Sequence, residues 1–425
     1  VTSNWMYSTF IPEPITVPID FISGDFSPGN SVNTARLEAR YITSTGMPWD
    51  LMAWGFNQGE NCGWTIKSAV QLKQEAGVVL AQSGGFQIYY QPTRAGWIDD
   101  WMVDIMADVA KFCRERQDVS QKTQTVPQVA LLLSKTSVYD KTDRLFGPFG
   151  SPLNPLQGVL HALLELHYSV DVMGEHKLME NLNQYPIVVI PEWHKLSNEL
   201  HATLVSYVRD GGRLLVIGHE SARLFKDYLG VTFVGDPAET GAFVKADSGM
   251  AWMNGVWQKV NPTTARVTNE RYSSQDRRGK GECASTINLY GKGMIGAIYG
   301  PLGSVFNRSH YPILRQFLSD NMKQLFPEPM VELNGPPCVD VSIRKKDNRI
   351  LIHLANTAGM QVSPQYAIID FIPSLERMEL IVRIDKRPKR VWLVPEDYEL
   401  KTHWADGKLS IIIPKLEIHS VVVIE

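Results

Sequence analysis

Cysteine is scarce in this chain, with four in 425 residues: Cys62, Cys113, Cys283 and Cys338. None stands at C-x-x-C spacing, which argues against a structural zinc site. Thiols so far apart do not make a disulfide framework either, and buried free thiols are expected. Long apolar runs are missing too; none reaches the ~18 residues that would suggest a membrane span. Neither sign of charge is in excess. Forty-two Lys and Arg against 45 acidic residues leave a net charge of −3, so there is no electrostatic case for nucleic acid. The chain opens on Val1, without an initiator methionine or signal peptide. It reads as a processed product or, by preference, a fragment. The compartment stays open.

Tryptophan is plentiful, and six of the eleven fall before residue 102. Four short runs there combine large rings with acids or amides. They are Thr2–Tyr7 (TSNWMY), Asp20–Asp25 (DFISGD), Pro48–Phe56 (PWDLMAWGF) and Ser83–Gln91 (SGGFQIYYQ). Aromatic faces stack on the C–H faces of sugar rings. Carboxylates do the proton and nucleophile work of glycoside cleavage. Acids and aromatics near the ends of successive strands are what a carbohydrate-cleaving barrel needs. Core aromatics with ordinary loop acids are the alternative.

Residues 1–125 alternate strands with helices, among them helical spacing over Thr65–Ala81 and Asp99–Arg114. Residues 116–125 are polar and without apolar periodicity, as in a linker or domain boundary. Residues 126–230 give a doubly wound pattern. Strands are expected at Val129–Leu133, Ser169–Met173, Ile187–Ile190 and Arg213–Ile217, with helices between. Extended segments follow, Phe243–Ala246 and Ala284–Tyr290 among them, then a helix over Ile313–Leu325. Residues 331–425 read as an all-β sandwich.

Three motifs lead elsewhere and are set aside. Gly291–Gly296 matches G-x-G-x-x-G, but a strand rather than a helix follows it, so a Gly-Lys-Gly hairpin accounts for it better. The doubly wound part lacks the nucleophile of an amidotransferase relative: no Cys lies between 126 and 230, and no G-x-S-x-G follows a strand. The Asp276–Lys280 charge run reads as a solvated loop.

The order of parts resembles barrel-type glycoside hydrolases related to the β-galactosidases that carry a trimerisation domain. Ser23-Gly24-Asp25 is similar to their S-W-D strand end, Thr2–Met6 to their T-N-F-M strand, and Tyr207–Val216 to part of the trimerisation domain. The resemblance implies an α/β architecture: the C-terminal part of a (β/α)8 barrel (residues 1–120), then a flavodoxin-like doubly wound domain (126–330), then a small β-sandwich (331–425). A whole barrel takes about 200–250 residues, so its earlier half, with the general acid/base, would lie outside this chain. The β-galactosidases place a Glu nucleophile late in the barrel. Pro48–Phe56 offers only Asp50, which turns the resemblance toward the α-L-fucosidase-like members of the group.

Three carboxylates are candidates for catalysis: Asp25, Asp50 and Glu38. For Glu38, an ion pair with the flanking Arg36 and Arg40 is the structural alternative; for the aspartates it is a cap or turn. Asn4, Trp5, Trp49, Trp54, Tyr90 and Arg94 are the substrate-binding candidates. No metal ligand cluster appears, and cleavage by carboxylates calls for no cofactor. The expected function is exo-glycoside hydrolysis, α-L-fucosidase-like first and β-galactosidase-type second, on an oligosaccharide or glycoside in a homo-oligomer (dimer or trimer). A non-catalytic carbohydrate-binding and oligomerisation fragment is the competing reading.

Overall fold

The computed structural model describes residues 1–5, 8–57, 64–142, 151–276, 278–359 and 368–425. The expectations for Met6, Tyr7, Cys62 and Arg277 lie outside the described residues. Cys113, Cys283 and Cys338 are free but only half-buried.

The first 120 residues build a three-stranded parallel sheet from Ile22–Asp25, Trp49–Trp54 and Gly85–Tyr89, in that order. Helices Ser31–Ser44 and Ala69–Leu80 connect the strands, and Asp100–Arg114 follows them. The second helix starts later than its spacing suggests. Thr65 and Ile66 pair instead with Asn57 and Phe56, and Ser68 caps the helix by accepting from Gln71 N at 3.0 Å. Within the Thr2–Tyr7 run, Asn4 makes one parallel bridge, to Ser23.

Side chains alternate across a strand. Trp49, Leu51 and Ala53 are buried against the helices, with Ile22, Ala39, Leu72 and Ala76. The register sets Ser23 beside Asp50, Asp25 beside Met52, Met52 beside Gln87 and Trp54 beside Tyr89. These residues therefore share the face turned away from the helices.

A nine-stranded sheet follows. Five strands run parallel: Val129–Leu133, Val170–Gly174, Ile187–Ile190, Arg213–Ile217 and Gly293–Ile298. Their order in the sheet is 2-1-3-4-5, that of flavodoxin-like sheets. Their near-continuous burial is the reason the sequence reads so cleanly here. The antiparallel part is larger than expected. Val231–Ala246 and Gly249–Pro262 form one long hairpin, with a bulge between Val234 and Ala238. Asp236, Pro237 and Glu239 break the apolar run there, which hid the strand. The hairpin expected at Gly291 is present: Tyr290 pairs with Gly293, and Gly291 has φ 59°.

The C-terminal part packs a four-stranded antiparallel sheet against a six-stranded one around a shared apolar core. The supposed linker contributes to it. Residues 116–125 hold a short helix, Gln117–Ser120, and a two-residue strand, Gln124–Thr125, that extends the six-stranded sheet beside Arg344 and Lys345.

Buried polar contacts join these parts. On helix Ser31–Ser44, Arg36 and Arg40 both reach Asp340 of the six-stranded sheet: Arg36 Nε donates to Oδ2 at 2.8 Å, Nη2 to Oδ1, and Arg40 Nη2 lies 3.5 Å from Oδ2. Gln82 donates to Ser342 Oγ at 2.7 Å, and Arg116 to the His419 carbonyl at 3.0 Å. The ion pair weighed for Glu38 with Arg36 and Arg40 is therefore replaced by one made 300 residues away.

Candidate active site

Asp25 ends its strand, only 7% exposed. Asn4 Nδ2 lies 3.5 Å from its Oδ1. Burial pushes the carboxyl above its ordinary 3.8, while the Asn4 amide and the Trp54 indole beside it work the other way. Asn4, Asp25 and Trp54 are thus brought together at the C-terminal rim of the sheet.

Trp54 opens an aromatic cluster. Its ring centroid is 5.5 Å from Phe56 and 6.3 Å from Tyr89, and Phe56 lies 4.7 Å from Trp64. Tyr89 is 39% exposed and Trp64 49%. Trp64 holds φ 60°, uncommon for a non-glycine residue. Such rings offer flat apolar faces with polar edges. Phe56, Trp64, Gln87 and Tyr89 were not among the sequence candidates. The signal for Gln87 and Tyr89 was their parity: they alternate in step with Trp54 once the register is known.

The other candidates stand apart. Glu38 is buried, accepting from Thr9 N at 3.1 Å and from Thr9 Oγ1. Burial pushes it up to about 8, against the Thr9 and Ser8 donors and with a small push from the Asp25 charge. It fastens the segment after Asn4 to the helix. Asp50 shares the Asp25 face but sits level with Ser23 and Gly85, toward the N-terminal ends of the strands. Ser23 Oγ donates to it at 2.7 Å, and burial raises its carboxyl. Trp49 faces the helices, its ring against Gly84, where a Cβ would stand 2.2 Å away. Tyr90 is likewise buried, its ring under Gly55, and burial pushes its phenol up to about 12. Trp5 packs half-buried against the N-terminal core. Arg94 lies exposed in the loop after Gly85–Tyr89.

Solved structures with the same fold are glycoside hydrolases. Over 92% of this chain, the α-L-fucosidase isoenzyme 2 from Paenibacillus thiaminolyticus matches with TM-score 0.79 and 19% identity. Gan42B, a GH42 β-galactosidase from G. stearothermophilus, matches over 100% with TM-score 0.68 and 14% identity. The β-galactosidase from Rahnella sp. R3 matches over 99% with TM-score 0.68 and 15% identity. The fold is that of glycoside hydrolases. This chain spans 63% of the length of each of these three. No family model matches the sequence, and no curated protein matches it.

Among the described residues, no group of three or more His, Cys, Asp or Glu is placed to hold a metal ion. No described helix is long and apolar enough to cross a membrane. What the rim does offer is a desolvated carboxyl group, an amide and an indole that can bond hydroxyls, and a ring platform beside them.

Proposed function

We propose that the Asp25 rim is part of a glycoside hydrolase active site. On this reading, residues 1–120 are the later strands of a (β/α)8 barrel, and the face carrying Asp25, Trp54, Gln87 and Tyr89 is its interior. Barrel enzymes work at the C-terminal ends of their strands, the end where Asp25 and Trp54 stand. The observation that carries the reading is this meeting of Asp25, Asn4 and Trp54 with the Phe56–Trp64–Tyr89 rings. A sugar stacked on the rings would have a carboxyl group at its edge.

Asp25 is the reacting carboxyl group in this proposal, one of a pair that cleaves the bond through an oxocarbenium-like transition state. Asp50 is not its partner, because it lies about two residues lower and is held by Ser23. The partner carboxyl comes from chain facing the rim. A terminal α-L-fucoside is the substrate put first, on the stronger fold match; a β-galactoside is second. Residues 126–330 would mediate self-association, as a dimer or trimer.

The test is hydrolysis of p-nitrophenyl glycosides, α-L-fucoside and β-D-galactoside included, by this chain and by a version extended at its N-terminus. In whichever form is active, Asp25→Asn should cut turnover by at least about 100-fold, and Asp50→Asn by less than about tenfold. Equal losses would assign both aspartates to the chemistry. A drop below about tenfold for Asp25→Asn would refute the proposal. Saccharide binding without turnover in either form would favour the carbohydrate-binding reading.

A further inference from the structure

The three-stranded parallel sheet is open along one side. Strand Gly85–Tyr89 is its last strand, paired with Trp49–Trp54 and, among the described residues, with no strand beyond. Natural edge strands are blunted with charges, prolines or bulges, or are covered by other chain. Gly85–Tyr89 (GFQIY) holds no charge and no proline, and its register with Trp49–Trp54 runs without a break.

The layer behind that edge is uncovered as well. Leu51 and Ala53 are fully buried. Phe86 and Ile88 stand beside them in register, on the same face, yet are only half-buried. The helix layer thins at the same place. Helix Ser31–Ser44 packs against Ala69–Leu80, which packs against Asp100–Arg114, the outermost of the three. Only Val109 and Phe112 of that last helix are buried. Trp101 is 51% exposed, and in the loop before it Trp97 is 70% exposed; Ile98 and Val103 are exposed too. Four large apolar side chains left bare within seven residues mark a surface that another body covers.

One kind of partner covers both layers. An extended peptide added along the edge would leave the helix bare. A ligand stacked on the tryptophans would leave the outer backbone groups of Gly85–Tyr89 unpaired. A strand followed by a helix supplies both. The step from Trp49–Trp54 through a helix to Gly85–Tyr89, taken once more with the same hand, sets a new parallel strand on the edge and its helix against Asp100–Arg114. The amount of chain agrees. This chain spans 63% of each matched hydrolase, which leaves more than a third of each outside the shared part.

We propose that a β/α unit of the same polypeptide, encoded before Val1, docks here. Its strand pairs in parallel along Gly85–Tyr89, and its helix covers Trp97, Trp101 and Val103. The inference rests on reading residues 1–120 as the later strands of a barrel, and it names the edge at which the earlier half joins.

Hydrogen exchange and hydroxyl-radical footprinting, both read by mass spectrometry, test it on the 425-residue chain and on a version extended with the upstream coding sequence. In the extended version, the Gly85–Tyr89 amides that Trp49–Trp54 leaves free should exchange at least about 100-fold more slowly. Oxidation of Trp97 and Trp101 should fall. Val103→Asp should leave the melting temperature of the 425-residue chain unchanged and lower that of the extended one. Three results would each overturn the proposal: upstream sequence with no strand–helix unit; exchange and oxidation alike in both versions; or, in the 425-residue chain alone, protection of Trp101 that grows with protein concentration, as a second copy would give. Hydrolysis scores the active-site reading separately. Turnover by an extended version whose Gly85–Tyr89 amides stay unprotected would refute the docking and keep the site, and protection without turnover would do the reverse.

Discussion

Asp340→Asn tests how the N-terminal helices are held to the sandwich. Asp340, Arg36 and Arg40 are all buried, and the substitution keeps the shape while stranding two guanidinium groups. Removing one partner from a buried pair costs about 3–5 kcal/mol, chiefly because the other charge is left without compensation. The exposed pair between Lys346 and Asp118, at 3.2 Å, should be worth about 0–1 kcal/mol. Urea unfolding, followed by tryptophan fluorescence and circular dichroism, should therefore separate Asp340→Asn from Asp118→Asn by several kcal/mol. A triple variant, Arg36→Met with Arg40→Leu and Asp340→Leu, should recover most of the loss, since apolar groups of similar volume leave no stranded charge. The pH dependence has a defined sign. Burial works to raise the Asp340 carboxyl, but the Arg36 and Arg40 charges prevail and hold it below its ordinary 3.8. Its contribution is then fully present above that value in the native protein and is lost as pH falls through the lower, folded value. An Asp340→Asn loss no larger than that of Asp118→Asn would refute the reasoning.

Glu38→Gln should gain stability over the native chain as pH rises. The Glu38 carboxyl titrates at about 8 when folded, above its ordinary 4.5; the folded state holds a proton that the unfolded state has released, so native stability falls across that window. Thermal unfolding of both proteins at pH 5 and pH 8 checks the sign, and a relative gain at the lower pH would contradict it. Gly158→Ala should destabilise by about 1–3 kcal/mol, although alanine ordinarily strengthens a helix by about 1 kcal/mol. A Cβ at Gly158 would stand 1.9 Å from the Gly303 carbonyl oxygen of the neighbouring helix, and a raised unfolding midpoint would show that the helices part freely. Trp64→Ala should leave stability within about 0.5 kcal/mol, since the ring is half exposed, while weakening any saccharide bound at the Asp25 rim; titration and melting together decide it.

Legibility in the sequence followed burial. Val129–Leu133 and Ile187–Ile190 are apolar throughout because both faces of their sheet are covered. Helix Ser31–Ser44 was harder to read, because its buried side carries Arg36, Glu38 and Arg40, and charges at core positions erase the apolar stripe. At the site, residue types pointed to Asp25, Asn4 and Trp54, which do meet. Trp49 and Asp50 are adjacent in the chain and so face opposite sides of the sheet. Composition alone could not separate them; the register with Ser23 does. Phe56 and Trp64 join the ring cluster beside the short antiparallel pairing of Phe56 and Asn57 with Ile66 and Thr65, which no local pattern announces.

The Arg36–Asp340 contact joins residues 304 apart in the chain. A ribosome would deliver both arginines long before their carboxylate. Until Asp340 emerges, helix Ser31–Ser44 must keep two cations solvated that the finished protein buries. Synthesis stopped short of Val339 would therefore release a chain whose first parallel strands lack their closing anchor, a ready substrate for chaperones or proteases. The sandwich thus holds helix Ser31–Ser44 through a carboxylate made some 300 residues later than the arginines it neutralises.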